Sequence, residues 1–262
     1  MARLSFLKVK LVLCLTTLSI LLVLSGFNAQ AQFSTSRGEV ERASRLEWLR
    51  MKREMSRPAD PRIQPFVECI SNSLIATLEE PYASMDWEII VFDDESANAF
   101  AMPGGKIGVF TGIFRVADTP DALATVIGHE IAHLTEDHVV ERARKQLGTD
   151  LLSGVLSSAT YGYGSDSIRQ GTAIFIGLPF DRNQESEADL VGLEYMAAAG
   201  YDPRSSLYLW RNMSDLSQGS PPEFLSTHPS DDRRMADLAS RLTPALIAYN
   251  EALEAGLRPS CL

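Results

Sequence analysis

The sequence predicts an α+β fold: helices, then a small three-stranded sheet, then helices again. Three observations carry this expectation. Apolar residues recur at helical spacing both before residue 80 and after residue 119. Between these stretches, residues 87–110 are rich in β-branched and aromatic side chains with turn signals among them. The strands sit together instead of alternating with helices, which excludes a parallel α/β core. At 262 residues, 45% hydrophobic and 22% charged, the chain has the composition of an ordinary globular domain. It shows no internal repeat.

Each element follows from local pattern. Residues 38–56 predict a helix with Val40, Ala43, Leu46, Leu49 and Met51 near one face. Pro58 and Pro61 end it. A second helix starts near Gln64, with Pro65 in its first turn, and runs to about Leu78. Residues 87–92, 98–101 and 106–110 are the strands, in an antiparallel or mixed sheet, with a turn at Pro103-Gly104-Gly105. Thr119-Pro120-Asp121 is a helix start, with a capping hydroxyl, proline at the first position and an acid in the first turn. That helix is expected to run unbroken to about Lys145. Residues 150–180 have no clean period. Another helix spans about Asn183 to Gly200, and Asp202-Pro203 opens the next. Residues 215–230 read as a loop, and a last helix covers about Asp232 to Ala255.

The first 31 residues read as a secretory leader. Arg3, Lys8 and Lys10 precede an apolar run from Leu11 to Leu24, and Ala29-Gln30-Ala31 is a small-x-small cleavage signal. The run is short of the ~20 residues that span a bilayer. A single domain over residues 32–262 is the expectation, with residues 32–60 as an N-terminal helical arm. Export follows, with no transmembrane segment after cleavage, and the bacterial periplasm is the destination that the resemblance described below implies. The alternative is an uncleaved N-terminal tether. The leader carries three basic residues and no acidic ones, so its removal takes the net charge from −10 to −13. That acidity argues against nucleic acid and anionic lipid as partners. Removal of Cys14 leaves Cys69 and Cys261. In an exported chain two cysteines suggest one disulfide, and two free thiols are the alternative.

The chemistry concentrates at His129-Glu130-Ile131-Ala132-His133. Residues four apart on a helix share a face, so both imidazoles reach one metal ion. Glu130 is offset by one position and suits a general base acting on a water. The flanking Val126, Ile127, Ile131 and Leu134 are apolar, so these polar groups are buried and need partners. Zinc needs a third protein ligand. His138 lies nine residues past His129, about 180° around an unbroken helix, and reads as structural. The metzincin pattern, with a helix-breaking glycine and a histidine at the tenth position, is absent, because those positions hold Glu136 and Val139. The remaining candidates are Glu185, Glu187, Asp189 or a distant histidine. Glu185 and Asp189 share a face and Glu187 points elsewhere, which favours Glu185 as ligand and Asp189 as the partner of a ligand histidine. An acidic first turn that complements the helix dipole is the plainer reading of the same residues.

Four segments in order resemble the HtpX-like zinc metallopeptidases, in the clan of the CAAX-prenyl endopeptidases. They are residues 98–105 (Asn-Ala-Phe-Ala-Met-Pro-Gly-Gly), Gly128 to His133, Glu185 to Asp189, and Thr227-His228-Pro229. The layout is most similar to the periplasmic BepA- and LoiP-type members, without a C-terminal repeat domain. The resemblance implies a zincin-like fold of the gluzincin class and one Zn2+ on His129, His133 and Glu185. It implies Glu130 as base and Asp189 behind a ligand histidine. His228 would either fill the open coordination position or steady the oxyanion, with Arg234 assisting. Asn98, Ala99, Phe100 and Ala101 would form an exposed edge that pairs with an extended polypeptide substrate. The implied function is cleavage of misfolded or unassembled cell-envelope proteins, with the outer-membrane assembly machinery as a candidate partner. The alternative is a chaperone or assembly factor whose peptidase site is held latent by His228. Residues 150–180 and the loop at His228 are expected covers over the site.

Overall fold

The computed structural model describes residues 36–146, 173–216, 223–229 and 232–261. The expected leader and most of the expected cover at 150–180 lie outside these residues. Helix α1 spans Arg37–Glu54 and starts with a capping box in which Ser36 and Glu39 exchange side-chain and backbone bonds. Helix α2 is Ile63–Ile75. Strands β1 (Glu88–Phe92), β2 (Ala99–Met102) and β3 (Lys106–Phe110) follow, then a 3-10 turn at Thr111–Arg115. Helix α3 is Pro120–Thr135, with the Thr119 hydroxyl accepting from the Ala122 N–H. Residues 138–146 are helical again, as α4. A π-helical turn at Ala173–Gly177 leads to α5 (Arg182–Ala198), α6 (Ser205–Leu216), α7 (Glu223–Thr227) and α8 (Asp232–Glu254). Among the described residues no helix is long and apolar enough to cross a membrane.

The sheet is mixed, in the order β1-β3-β2, with β1 parallel and β2 antiparallel to β3. Its strands read as continuous apolar runs because both faces are covered. Ile89, Val91, Ile107 and Val109 face one buried cluster, shared with α2, α3 and α5. Ile90, Phe92, Phe100 and Phe110 face a second, shared with α1. Gly108 is required there, because a Cβ would stand 2.1 Å from the Phe100 ring. Helix α3 lies at the centre and packs against α2, α5, α6 and β2, while α8 backs α5. The sulfurs of Cys69 and Cys261 lie 2.00 Å apart, at bonding distance, joining α2 to the C-terminal segment.

Three expectations change. The buried stripe of α1 is Val40, Ser44, Glu47, Trp48 and Met51, while Leu46 and Leu49 are 70% and 46% exposed. Trp48 sets this phase, since its ring meets Phe92 edge-on at 5.8 Å and buries more area than either leucine. The metal helix is not continuous to Lys145. It stops at Glu136, and Asp137 takes a left-handed φ of 62°, a conformation aspartate tolerates better than most residues. Asp137 is held there by an ion pair with Arg37 of α1. The expected loop at 215–230 contains the short helix α7, anchored where the Phe224 N–H donates to the Ala97 carbonyl just before β2.

Candidate metal centre

Helix α3 presents His129 and His133 one turn apart, and α5 crosses it to deliver Glu185. The crossing is close because both helices carry glycine at the contact. A Cβ on Gly192 would lie 2.8 Å from the His129 nitrogen and 2.9 Å from the Gly128 carbonyl carbon. Gly192→Ala is therefore expected to destabilise the fold by about 1–3 kcal/mol, as overpacking does. Gly38→Ala on α1, where the nearest atom to a new Cβ is 3.8 Å away, should instead stabilise by about 0.4–1 kcal/mol. Thermal or denaturant unfolding of the two variants checks the opposite signs.

Four donor atoms converge in the core. His129 Nε2 is 3.0 Å from His133 Nε2 and 3.2 Å from His228 Nδ1. Glu185 Oε1 is 3.1 Å from His228 Nδ1 and 3.5 Å from His133 Nε2. A tetrahedral zinc with bonds of about 2.0–2.1 Å would hold its ligand atoms roughly 3.3 Å apart. The observed separations match the edges of that tetrahedron. Three imidazole nitrogens at such distances repel through their lone pairs unless a ring hydrogen or a cation lies among them. Burial, reinforced by His129, holds the His133 ring well below its usual pKa, so it is neutral and its lone pair is available. Burial works against charge on His129 too, but Asp189 and Glu185 outweigh it and raise that group to about 9. Positive charge is thus favoured on His129 and disfavoured on His133. The donor set is that of a zinc centre.

Glu130 stands beside the cluster and outside it. Its Oε2 accepts from the Ala101 N–H of β2 at 3.1 Å, and its Oε1 is 3.2 Å from His228 Nε2. Burial pushes its carboxyl group up, as suits a base that must also give its proton back. Asp189 Oδ1 lies 3.0 Å from His129 Nδ1, close but off the ideal hydrogen-bond line. Arg234 grips Asp189 through two bonds of 2.6 and 2.8 Å and pairs with Glu185 Oε2 at 2.6 Å. Its guanidinium also donates to the Pro229 carbonyl at 3.0 Å and stacks 3.9 Å over Trp210. Arg234 therefore contacts Glu185 of the donor cluster and Asp189 behind it, which suits a positioning residue as well as the expected assistance at the oxyanion.

A model of peptidase family M48 matches residues 61–242, which include every residue of this cluster. The chain belongs to that family. Among its M48 relatives are the mitochondrial metalloendopeptidase OMA1 of Arabidopsis thaliana, 38% identical over 64% of this chain and 34% of that protein. The OMA1 of Saccharomyces cerevisiae is 34% identical over 63% of this chain and 50% of its own length. The β-barrel assembly-enhancing protease of Escherichia coli (strain K12) is 25% identical over 73% and 42%. The chain thus spans half or less of the length of these curated relatives.

The M48 site also contains residues the sequence reading passed over. Phe180 stacks on His133 at 3.7 Å and Phe224 on His228 at 4.3 Å, each fixing an imidazole plane. Arg142, almost fully buried, lies 3.7 Å over the Phe180 ring and donates to the carbonyls of Phe175 and Leu178, holding that segment against the site. No motif announces these contacts. The substrate edge also differs from expectation. Strand β2 is the sheet edge, but Asn98, Ala99, Phe100 and Ala101 are all buried. The antiparallel register turns the N–H groups of Ala99 and Ala101 away from β3. Both have acceptors already, Ala99 from Asn98 Oδ1 and Ala101 from Glu130 Oε2. The edge N–H groups are capped by Asn98, just before the strand, and by Glu130 of α3, which limits unwanted pairing.

Proposed function

We propose that this chain is a zinc-dependent endopeptidase that cleaves extended segments of misfolded or unassembled cell-envelope proteins and rests in a closed form capped by His228. The observation that carries the reading is Glu130, a buried carboxylate beside three zinc donors and bonded to the N–H of an edge strand. His129, His133 and Glu185 hold the metal. When bound, zinc supplies a Lewis acid that acidifies water and polarises a carbonyl. Glu130 takes a proton from the attacking water and delivers it to the leaving amine. An extended substrate adds to β2 by main-chain pairing. Its carbonyl then replaces Glu130 Oε2 on the Ala101 N–H, so docking frees the base. Asp189 and Arg234 keep His129 and Glu185 in place.

The envelope setting rests on the N-terminal leader pattern, on the two cysteines at bonding distance, and on the likeness to a protease named for β-barrel assembly. Export to the periplasm and contact with outer-membrane assembly machinery follow from the same features. The mitochondrial relatives point to membrane-bounded compartments of another kind. The test is cleavage of a denatured, reduced polypeptide by the zinc-loaded chain. Fragments that vanish with chelator and return with zinc support the reading. No cleavage by either the wild type or His228→Ala would refute it.

The second reading, a chaperone with a latent peptidase site, is favoured by one contact set. His228 fills the fourth corner with Nδ1 and faces the base with Nε2. If the open form is about a tenth of the molecules, His228→Ala should raise kcat/KM about tenfold. Steady-state cleavage of a quenched peptide measures this, and a fall in rate would assign His228 to transition-state stabilisation instead.

A further inference from the structure

The break at Glu136–Asp137 brings His138 back toward the site. Its Nδ1 lies 3.0 Å from His133 Nδ1, and its Nε2 lies 3.3 Å from Glu187 Oε2. His138 is buried, and Glu187 has its side chain 55% exposed. His138 is outside the donor cluster, as expected, although the helix expected to carry it to the far face is interrupted before it.

The contacts have a direction. His133 offers Nε2 to the cluster, so a neutral ring carries its hydrogen on Nδ1. That N–H donates to His138 Nδ1. His138, accepting at Nδ1, must carry its own hydrogen on Nε2, and that group donates to Glu187. The reverse direction would place a hydrogen on His133 Nε2, among the metal donors. A carboxylate can only accept, so Glu187 permits one direction alone. We propose that His138 and Glu187 are positioning residues that fix the tautomer of His133 and so hold it as a metal ligand. The two ligand histidines are then secured in different ways. His129 leans on the buried Asp189–Arg234 pair, whereas His133 is set by a relay that ends at the protein surface.

This inference rests on the metal reading of His133, and the experiment separates the two. Zinc affinity of the full chain is measured by competition with a chromophoric chelator, alongside the visible spectrum of the Co2+ form. His138→Phe removes the acceptor while keeping a ring, and should weaken zinc binding about 10–100-fold and alter the Co2+ bands. His138→Asn restores an acceptor oxygen near the Nδ1 position and should recover most of that loss. Glu187→Gln keeps an accepting oxygen and should bind zinc within about threefold of wild type, well inside the range seen when an outer partner is lost. Glu187→Lys presents a donor, opposes the relay and should resemble His138→Phe. Glu194→Lys, at an exposed position further along α5, controls for the change in charge. Wild-type affinity in His138→Phe would overturn the proposal, as would equal losses in the Phe and Asn variants or in Glu187→Lys and Glu194→Lys. Failure of the wild type to bind zinc would overturn the metal reading itself.

Discussion

Glu130→Gln should leave a folded, zinc-replete protein that hydrolyses peptide bonds about 10²–10⁴ times more slowly. Glu130 is not one of the converging donors, so its substitution removes no ligand. The amide oxygen of glutamine can still accept from Ala101, which keeps the side chain in place. It cannot accept a proton from water at neutral pH. Its amide N–H group would face His228 Nε2, where the carboxylate Oε1 now sits. Two donors would then oppose each other, and the His228 cap should loosen even as the chemistry stops. Metal analysis and cleavage of an unfolded polypeptide, wild type beside variant, decide the matter. Equal rates would remove Glu130 from the mechanism. Full rescue of deletion phenotypes by the variant would favour the chaperone reading.

Arg234→Met should be the most destabilising single change near the site, by about 3–5 kcal/mol. Breaking one side of a buried ion pair leaves the other charge unpaired, and that is the usual penalty. Arg234 is 1% exposed and serves two carboxylates at once, Asp189 and Glu185. Methionine fills much of the same volume over Trp210, so the loss should come from charge and not from a cavity. A second substitution, Asp189→Asn, should then return part of the stability in the Arg234→Met background while lowering it in the wild type. Denaturant unfolding of the four proteins measures the coupling. Additive losses would show that the pair is not coupled and that Arg234 acts in another way.

Much of this was legible in the residues. The start of α3 was readable because Thr119, Pro120 and Asp121 are local signals, and β1 and β3 because β-branched residues crowd there. The site was legible where spacing on one helix decides geometry, as for His129 with His133 and Glu185 with Asp189. What escaped depends on contacts between distant segments. Nothing local at Glu136–Asp137 breaks a helix; the turn is held by Arg37, a hundred residues earlier. A continuous helix would put His138 on the far face from His129, and the break brings it back beside His133. The exposed-edge expectation for β2 failed for a similar reason, since the groups that cap its N–H donors include Glu130 from α3. Phe180 and Phe224 are aromatic residues like others in the chain until the fold stacks them on His133 and His228.

The contact of Gly128 with Gly192 has a consequence for how such a centre varies. Ligand identity is usually taken as the conserved part of a metal site and helix packing as the adjustable part. Here the distance between the two ligand-bearing helices is set by a pair of residues with no side chain at all. Any enlargement there moves Glu185 relative to both histidines together, and no single compensating change at a ligand restores all the separations. A saturation screen for loss of metal should thus rank Gly192 beside the ligands themselves, although it contributes no functional group. An engineer seeking a larger or softer metal in this scaffold would begin at that crossing, by spacing the helices apart, before altering any residue that touches the ion.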